Sequence, residues 1–184
     1  IELAKLYKDR ANNLLEHSQK PELYLQAATL YLEQLQDYEI AKQLITKVLE
    51  QTPTHKQAMA LWRQIAIKEG DYAIAIKILR QESQQTKDAA EKSRIFTEIA
   101  QLFANHMENN EHAAVAYHQA FLLDPQNTNA MDEALRLYEA ENEWQRIIAV
   151  LRAKLEHTKK DNDKARLLFK IAQIVQDKLD ESNV

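Results

Sequence analysis

Apolar residues recur along this chain at three- and four-residue steps. The sharpest instance runs from Glu111 to Pro125, where Ala113, Tyr117, Ala120 and Phe121 share one helical face. The alanines stand where another helix must approach closely, and Pro125 stands where the chain must turn. Such a helix cannot bury its apolar face alone, so the pattern predicts neighbours of the same kind.

Those neighbours are visible as self-similarity. Asp37-Tyr38 followed by Ala41 is matched by Asp71-Tyr72 followed by Ala75, then by Asn109-Asn110 followed by Ala113, and then by Glu143-Trp144 followed by Ile147. The step between marks alternates: the middle one, from Asp71 to Asn109, is longer by four than the steps on either side of it. Each mark separates two helical patterns, here called A and B. The A helices are expected near 22–36, 54–69, 88–107, 128–141 and 163–179, and the B helices near 38–50, 72–85, 111–123 and 144–156. Pro21 suits a first helical turn, Thr54 with Gln57 and Asp88 with Glu91 read as capping boxes, and Pro53 and Pro125 stop the helices before them. Turns are therefore expected near 36, 70, 109 and 142, with connections between repeats near 52, 87, 126 and 160.

A second, doubled period made of one short and one long step relates alternate repeats. Ala58-Met59 recurs as Ala130-Met131, and Ile78-Leu79-Arg80 as Val150-Leu151-Arg152. The four extra positions follow these last two triplets, where they are expected to lengthen a B helix or its loop by one turn. The resulting organisation is one solenoid over 1–184: a half repeat at 1–20, repeats at 21–53, 54–87, 88–126 and 127–160, and a half repeat at 161–184. Leu3, Leu6, Tyr7, Leu14 and Leu15 supply the apolar face of the first half. With a half repeat at each end and Ile1 in first place, the expectation is a fragment of a longer array.

Composition narrows this to helices. One Gly, three Pro and no Cys leave little for hairpins, phosphate loops or a disulfide frame, while 45% apolar residues suffice for a core. A formal net charge of -4 without a basic stripe argues against a nucleic-acid partner. No apolar run reaches the roughly 18 residues of a membrane span, so no membrane insertion is expected. The absence of cysteine fits a reducing or an oxidising compartment.

At Ala100, Ala113, Tyr117, Ala120 and Pro125, and at Leu25, Ala28, Leu32, Ala41, Ile45, Val48 and Pro53, the chain resembles the tetratricopeptide repeat family. Repeats two and four depart, with Trp62, Lys87, Lys154 and Lys159 where alanine or proline is usual. The resemblance implies an all-α, right-handed superhelix whose A helices line a concave groove that holds peptides or partner helices. The carboxylate clamp of that family, which takes chaperone tails, is missing: its places read Gln26, Leu30, Leu61, Ile95 and Ile99.

Chemistry is hard to find. His106, His112 and His118 are six apart, so no helical face collects them and no metal is expected. The serines at 18, 83, 93 and 182 lack the strained turn of a nucleophile, the carboxylate pairs read as solvated faces, and neither an enzyme nor a cofactor is expected. Asn109-Asn110 and Asp161-Asn162-Asp163 lack the glycine of a calcium loop and read as turn and cap residues. Trp62 and Trp144 fall at packing positions.

The A helices carry the candidate site. Leu23 and Leu30, Ile95 and Leu102, and Leu167 and Ile174 stand at groove-facing places in odd repeats, while Gln57, Gln64, Asn129 and Arg136 hold those places in even ones. With Glu98, Asn105, Asp132 and Lys170, these residues predict alternating apolar and polar rungs that suit a peptide or partner helix. The competing expectations are that the doublet buries the apolar rungs itself, and that the chain is a structural spacer that self-associates through open solenoid ends.

Overall fold

The structure is a computed structural model that describes residues 2–13 and 19–179. It forms two compact units, residues 1–85 and 86–184. The first holds α1 (Glu2–Asn13), α2 (Lys20–Leu30), α3 (Tyr38–Gln51), α4 (Lys56–Glu69) and α5 (Tyr72–Gln85). The second holds α6 (Ala89–His106), α7 (Asn110–Leu123), α8 (Thr128–Ala140), α9 (Trp144–His157) and α10 (Asp161–Ile174). A π-helical turn extends α2 over Tyr31–Leu35, and another extends α10 over Val175–Leu179. No strand occurs among the described residues.

Within each unit, helices that follow one another pack together as antiparallel hairpins. The direction shows in the contacts that tie the start of one helix to the end of the next. Lys42 near the start of α3 reaches Glu69 at the end of α4, at 3.0 Å. Ser93 in the first turns of α6 donates to the Ala120 carbonyl near the end of α7, at 2.8 Å. Small residues set these approaches: Ala28, Ala41, Ala100, Ala113 and Ala120 are fully buried, as is Phe121 beside them. Burying one phenylalanine contributes about 2 to 3 kcal/mol, so the helix pairs are held chiefly from their apolar faces.

The sequence marks are helix starts. Asp37, Asp71 and Asn109 each accept the backbone N–H three residues on through a side-chain oxygen, at 3.1, 3.1 and 3.0 Å. Glu143, the fourth mark, makes no side-chain cap, since its longer chain does not fold back so readily; it pairs instead with Arg146 at 3.4 Å. Immediately before each mark one residue adopts a left-handed backbone: Gln36 (φ 53), Gly70 (φ 78), Glu108 (φ 50) and Asn142 (φ 57). The turns fall into two kinds. Asp71 N–H reaches the Ala66 carbonyl and Glu143 N–H the Tyr138 carbonyl, five residues back, which is a Schellman closure. Asp37 N–H reaches Tyr31 and Asn109 N–H reaches Phe103, six residues back, which is a closure one residue wider.

Three expectations need correction. The four extra positions do not lengthen a B helix or its loop. Helices α3, α5, α7 and α9 each have 14 residues, whereas α6 has 18 against 14 in α4. The added turn sits in the A helix, because Asp88 caps α6 early by accepting from Ala90 N–H at 3.0 Å. Helix α4 is capped by His55, whose Nδ1 accepts from Ala58 N–H at 3.4 Å, and not by Thr54, which lies outside the first turn. In α1 the buried stripe is Ala4 and Ala11 with half-buried Tyr7, while Leu3 and Leu6 face solvent. Close approach to α2 selects the alanines over the leucines. Leu14 and Leu15 lie outside the described residues.

Candidate functional site

The odd-repeat rungs sink inward. Leu23, Ile95 and Leu102 are buried, and Leu30, Leu167 and Ile174 are half-buried. Helices α2 and α6 thus turn these side chains partly onto their own neighbours, as an apolar residue flanking the packing stripe does when the facing helix is close. The even-repeat rungs Gln57, Gln64, Asn129 and Arg136 are exposed or half-buried, as are Asn105, Asp132 and Lys170, and Glu98 is half-buried. In the second unit two of these residues take part in ion pairs. Arg136 donates to Glu133 at 2.8 Å on α8, and Lys170 of α10 lies 3.9 Å from Glu139 of α8. The solvent-facing sides of α8 and α10 therefore lie next to each other and carry both signs of charge. In the first unit Gln64 of α4 and Leu30 of α2 stand on A helices in the same way.

Behind this surface is a cluster at α7, α8 and α9. The His118 ring meets Tyr138 edge to face, with centroids 6.1 Å apart, and the Arg146 guanidinium lies 5.7 Å from the Tyr138 ring centre. Burial, helped by the Arg146 charge, holds the His118 pKa below its ordinary value. Burial also raises the hydroxyl pKa of Tyr138 and of Tyr117. These shifts follow from packing: the rings fill the space between three helices. His112 is also accounted for, with Nδ1 2.9 Å from Asn109 Oδ1 and its ring 5.2 Å from Phe103. Trp62 and Trp144 are half-buried; Trp62 packs on the core of the first unit and Trp144 opens α9, with the Lys178 ammonium 5.4 Å from its ring centre.

One feature escapes the sequence reading. An open cleft of about 530 Å³ lies where the α7–α8 connection meets the end of α9 and the start of α10, lined among others by Lys154, Lys159, Lys160 and Arg166. Lys154 and Lys159 stand out in the sequence only as departures from the repeat pattern. Comparison of charge at equivalent places of the doubled period is the signal that would have found it.

No family model matches this chain, and no curated protein matches it. Solved structures do. A crystal structure of MamA superposes with a TM-score of 0.56 at 15% identity, covering 89% of this chain and 89% of that one. The MamA RS-1 ArsTM double mutant gives 0.52 at 18% identity, over 85% of this chain and 94% of that one. The P58(IPK) TPR domain gives 0.34 at 20% identity, over 94% and 50% respectively. No helix among the described residues is long and apolar enough to cross a membrane. With its paired helices, its left-handed residue before each B helix and its likeness to the two MamA structures, the chain has a tetratricopeptide-type repeat fold.

Proposed function

We propose that this chain is a non-enzymatic protein-interaction scaffold that holds a peptide or a partner helix along its A helices. The observation that carries the reading is the joined polar surface of α8 and α10, with Arg136 on Glu133 and Lys170 beside Glu139. Side chains of this kind fix register and partner choice, while half-buried Ile174 and Leu167 supply apolar contact at the margin. The same role falls to Leu30 and Gln64 in the first unit and to Glu98 and Asn105 in the second. Leu23, Ile95 and Leu102 support the surface from beneath.

The test is crosslinking capture with the wild-type chain and with Asp132→Lys/Arg136→Glu. Neither side chain is buried, so the melting temperature should hold while the specific partner is lost. Recovery of the same proteins by both chains would sink the proposal. A second reading, a structural segment that self-associates, is favoured by Phe169, which is 72% exposed, and by Leu168 beside it. Sedimentation across a range of concentrations, compared with Phe169→Glu, decides it: a concentration-dependent oligomer abolished by the substitution supports self-association, and a monomer at every concentration removes it.

A further inference from the structure

The cleft between the α7–α8 connection and the α9–α10 connection has a charge opposite to that of the protein. The chain carries a formal net charge of -4, yet the lining residues include Lys154, Lys159, Lys160 and Arg166 against a single carboxylate, Asp163. Asp163 is already engaged by Arg166 at 3.8 Å. That leaves three lysines lining one cleft, with no carboxylate in ion-pair range of their ammonium groups among the described residues. Lys154 is half-buried, with its ammonium 5.9 Å from the centre of the Phe121 ring, so its position is fixed by packing.

This charge is not a property of the repeat. At the equivalent places of the preceding pair of repeats, Lys154 is matched by Glu82, Lys160 by Asp88 and Asp163 by Glu91, with only Lys87 and Arg94 positive. The sign of the summed charge at these positions of the sequence is therefore reversed. Uncompensated like charges repel one another, and an anionic ligand relieves that repulsion.

We infer that this cleft binds an acidic peptide segment of a partner protein, with carboxylates on Lys154, Lys159 and Lys160 and an apolar side chain against Pro125 and Leu167. The volume of about 530 Å³ suits a few residues and is large for one inorganic anion. Nucleic acid fits less well. The remaining surface of a net-negative chain repels an extended polyanion. The site shares only Leu167 with the α8–α10 surface and does not depend on that surface being a binding site.

The probe is a fluorescein-labelled octapeptide of six glutamates and two leucines, followed by anisotropy. Saturable binding is expected, weakening as salt rises from about 50 to about 200 mM. Lys159→Glu/Lys160→Glu should weaken it by about tenfold. Both side chains are exposed, and a glutamate at the head of α10 favours the helix, so folding is retained. Arg136→Glu, on the α8 surface, should leave the affinity unchanged, which keeps this site distinguishable from the scaffold surface. Four results would overturn the inference: no binding of the peptide, an affinity in the double lysine variant within about twofold of wild type, equal competition by inorganic phosphate, or tighter binding of an oligothymidylate of the same length.

Discussion

Helix pairs α2–α3 and α6–α7 occupy equivalent places in the two units, one doubled period apart, yet they are joined by different means. Ala28 and Ala41 match Ala100 and Ala113, all four fully buried. Beyond these alanines the pairs diverge. The first has Pro21, Leu25, Val48 and His55 where the second has Ser93, Thr97, Ala120 and Asn127. In the second unit the buried Ser93 hydroxyl donates to the Ala120 carbonyl, and Asn127 Nδ2 donates to Ser93 Oγ at 3.0 Å and to Thr97 Oγ1 at 3.1 Å. Asn127 Oδ1 also caps α8, accepting from Ala130 N–H at 3.1 Å. The first unit fills the equivalent space with fully buried Leu25 and Val48. One backbone register thus accepts either an apolar filling or a closed polar network. The network is tolerable only because its polar groups are partnered.

The alanines common to both pairs should give the largest effects. Ala113→Leu should destabilise by about 1 to 3 kcal/mol through overpacking, and Ala41→Leu by a similar amount. Denaturant midpoints measure both, and an unchanged midpoint for either would refute the close approach. The difference between the units is sharpened next. Asn127→Ala removes a cap and leaves two hydroxyls without their donor, for a loss of about 2 kcal/mol. His55→Ala removes only a long cap contact and should cost about 0.5 kcal/mol. Equal losses would show that the network contributes nothing beyond the cap.

The turns give smaller effects. At φ 78 Gly70 has open space around a new Cβ, so Gly70→Ala should cost about 1 kcal/mol from backbone strain alone. Glu108→Gly, at φ 50, should stabilise by about 0.5 kcal/mol, since relief of strain outweighs the added freedom of the unfolded chain. Denaturant midpoints measure these two as well, and a shift of the opposite sign in either would refute the strain.

The smallest effect is expected from pH. His118, against Tyr138 and Arg146, has a folded pKa below its unfolded value, so the unfolded chain binds the proton more readily. Its contribution is present above the unfolded pKa of about 6.5 and is lost as pH falls through the window below it. Thermal melting of His118→Gln between pH 7.5 and pH 5.5 (about one unit either side of that value) should show a shallower acid loss than wild type; parallel curves would refute this.

Helix order and turn positions were legible in the sequence because both rest on local signals. Asp37, Asp71 and Asn109 are caps, and a cap is readable from residue type alone. Glu143 has the spacing without the hydrogen bond, which spacing does not reveal. The candidate groove was harder to read. Whether Leu23, Ile95 or Leu102 faces solvent depends on how near the facing helix lies, and periodicity fixes direction without fixing distance. The face of α1 was misjudged for the same reason, as hydrophobic size favoured Leu3 and Leu6 where closeness of packing required Ala4 and Ala11. The cleft at Lys154 is not marked by any local pattern, because its cations come from α9, α10 and the connection between them; only charge compared across the doubled period points to it.

The wide turn has a consequence for recombination. Its six-residue closure begins at Tyr31 and again at Phe103, and the π-helical turn after α10 begins at Val175, one further doubled period along the chain. One additional residue before a B helix rotates that helix by about 100° relative to the helix before it. Because each closure lies between the A and B helices of one repeat, a block cut at the connections between repeats carries its turn intact, whereas a cut at the turn itself would join a wide end to a Schellman partner and turn the wrong stripe inward. The facing of each helix pair is thus stored in the geometry of its own turn.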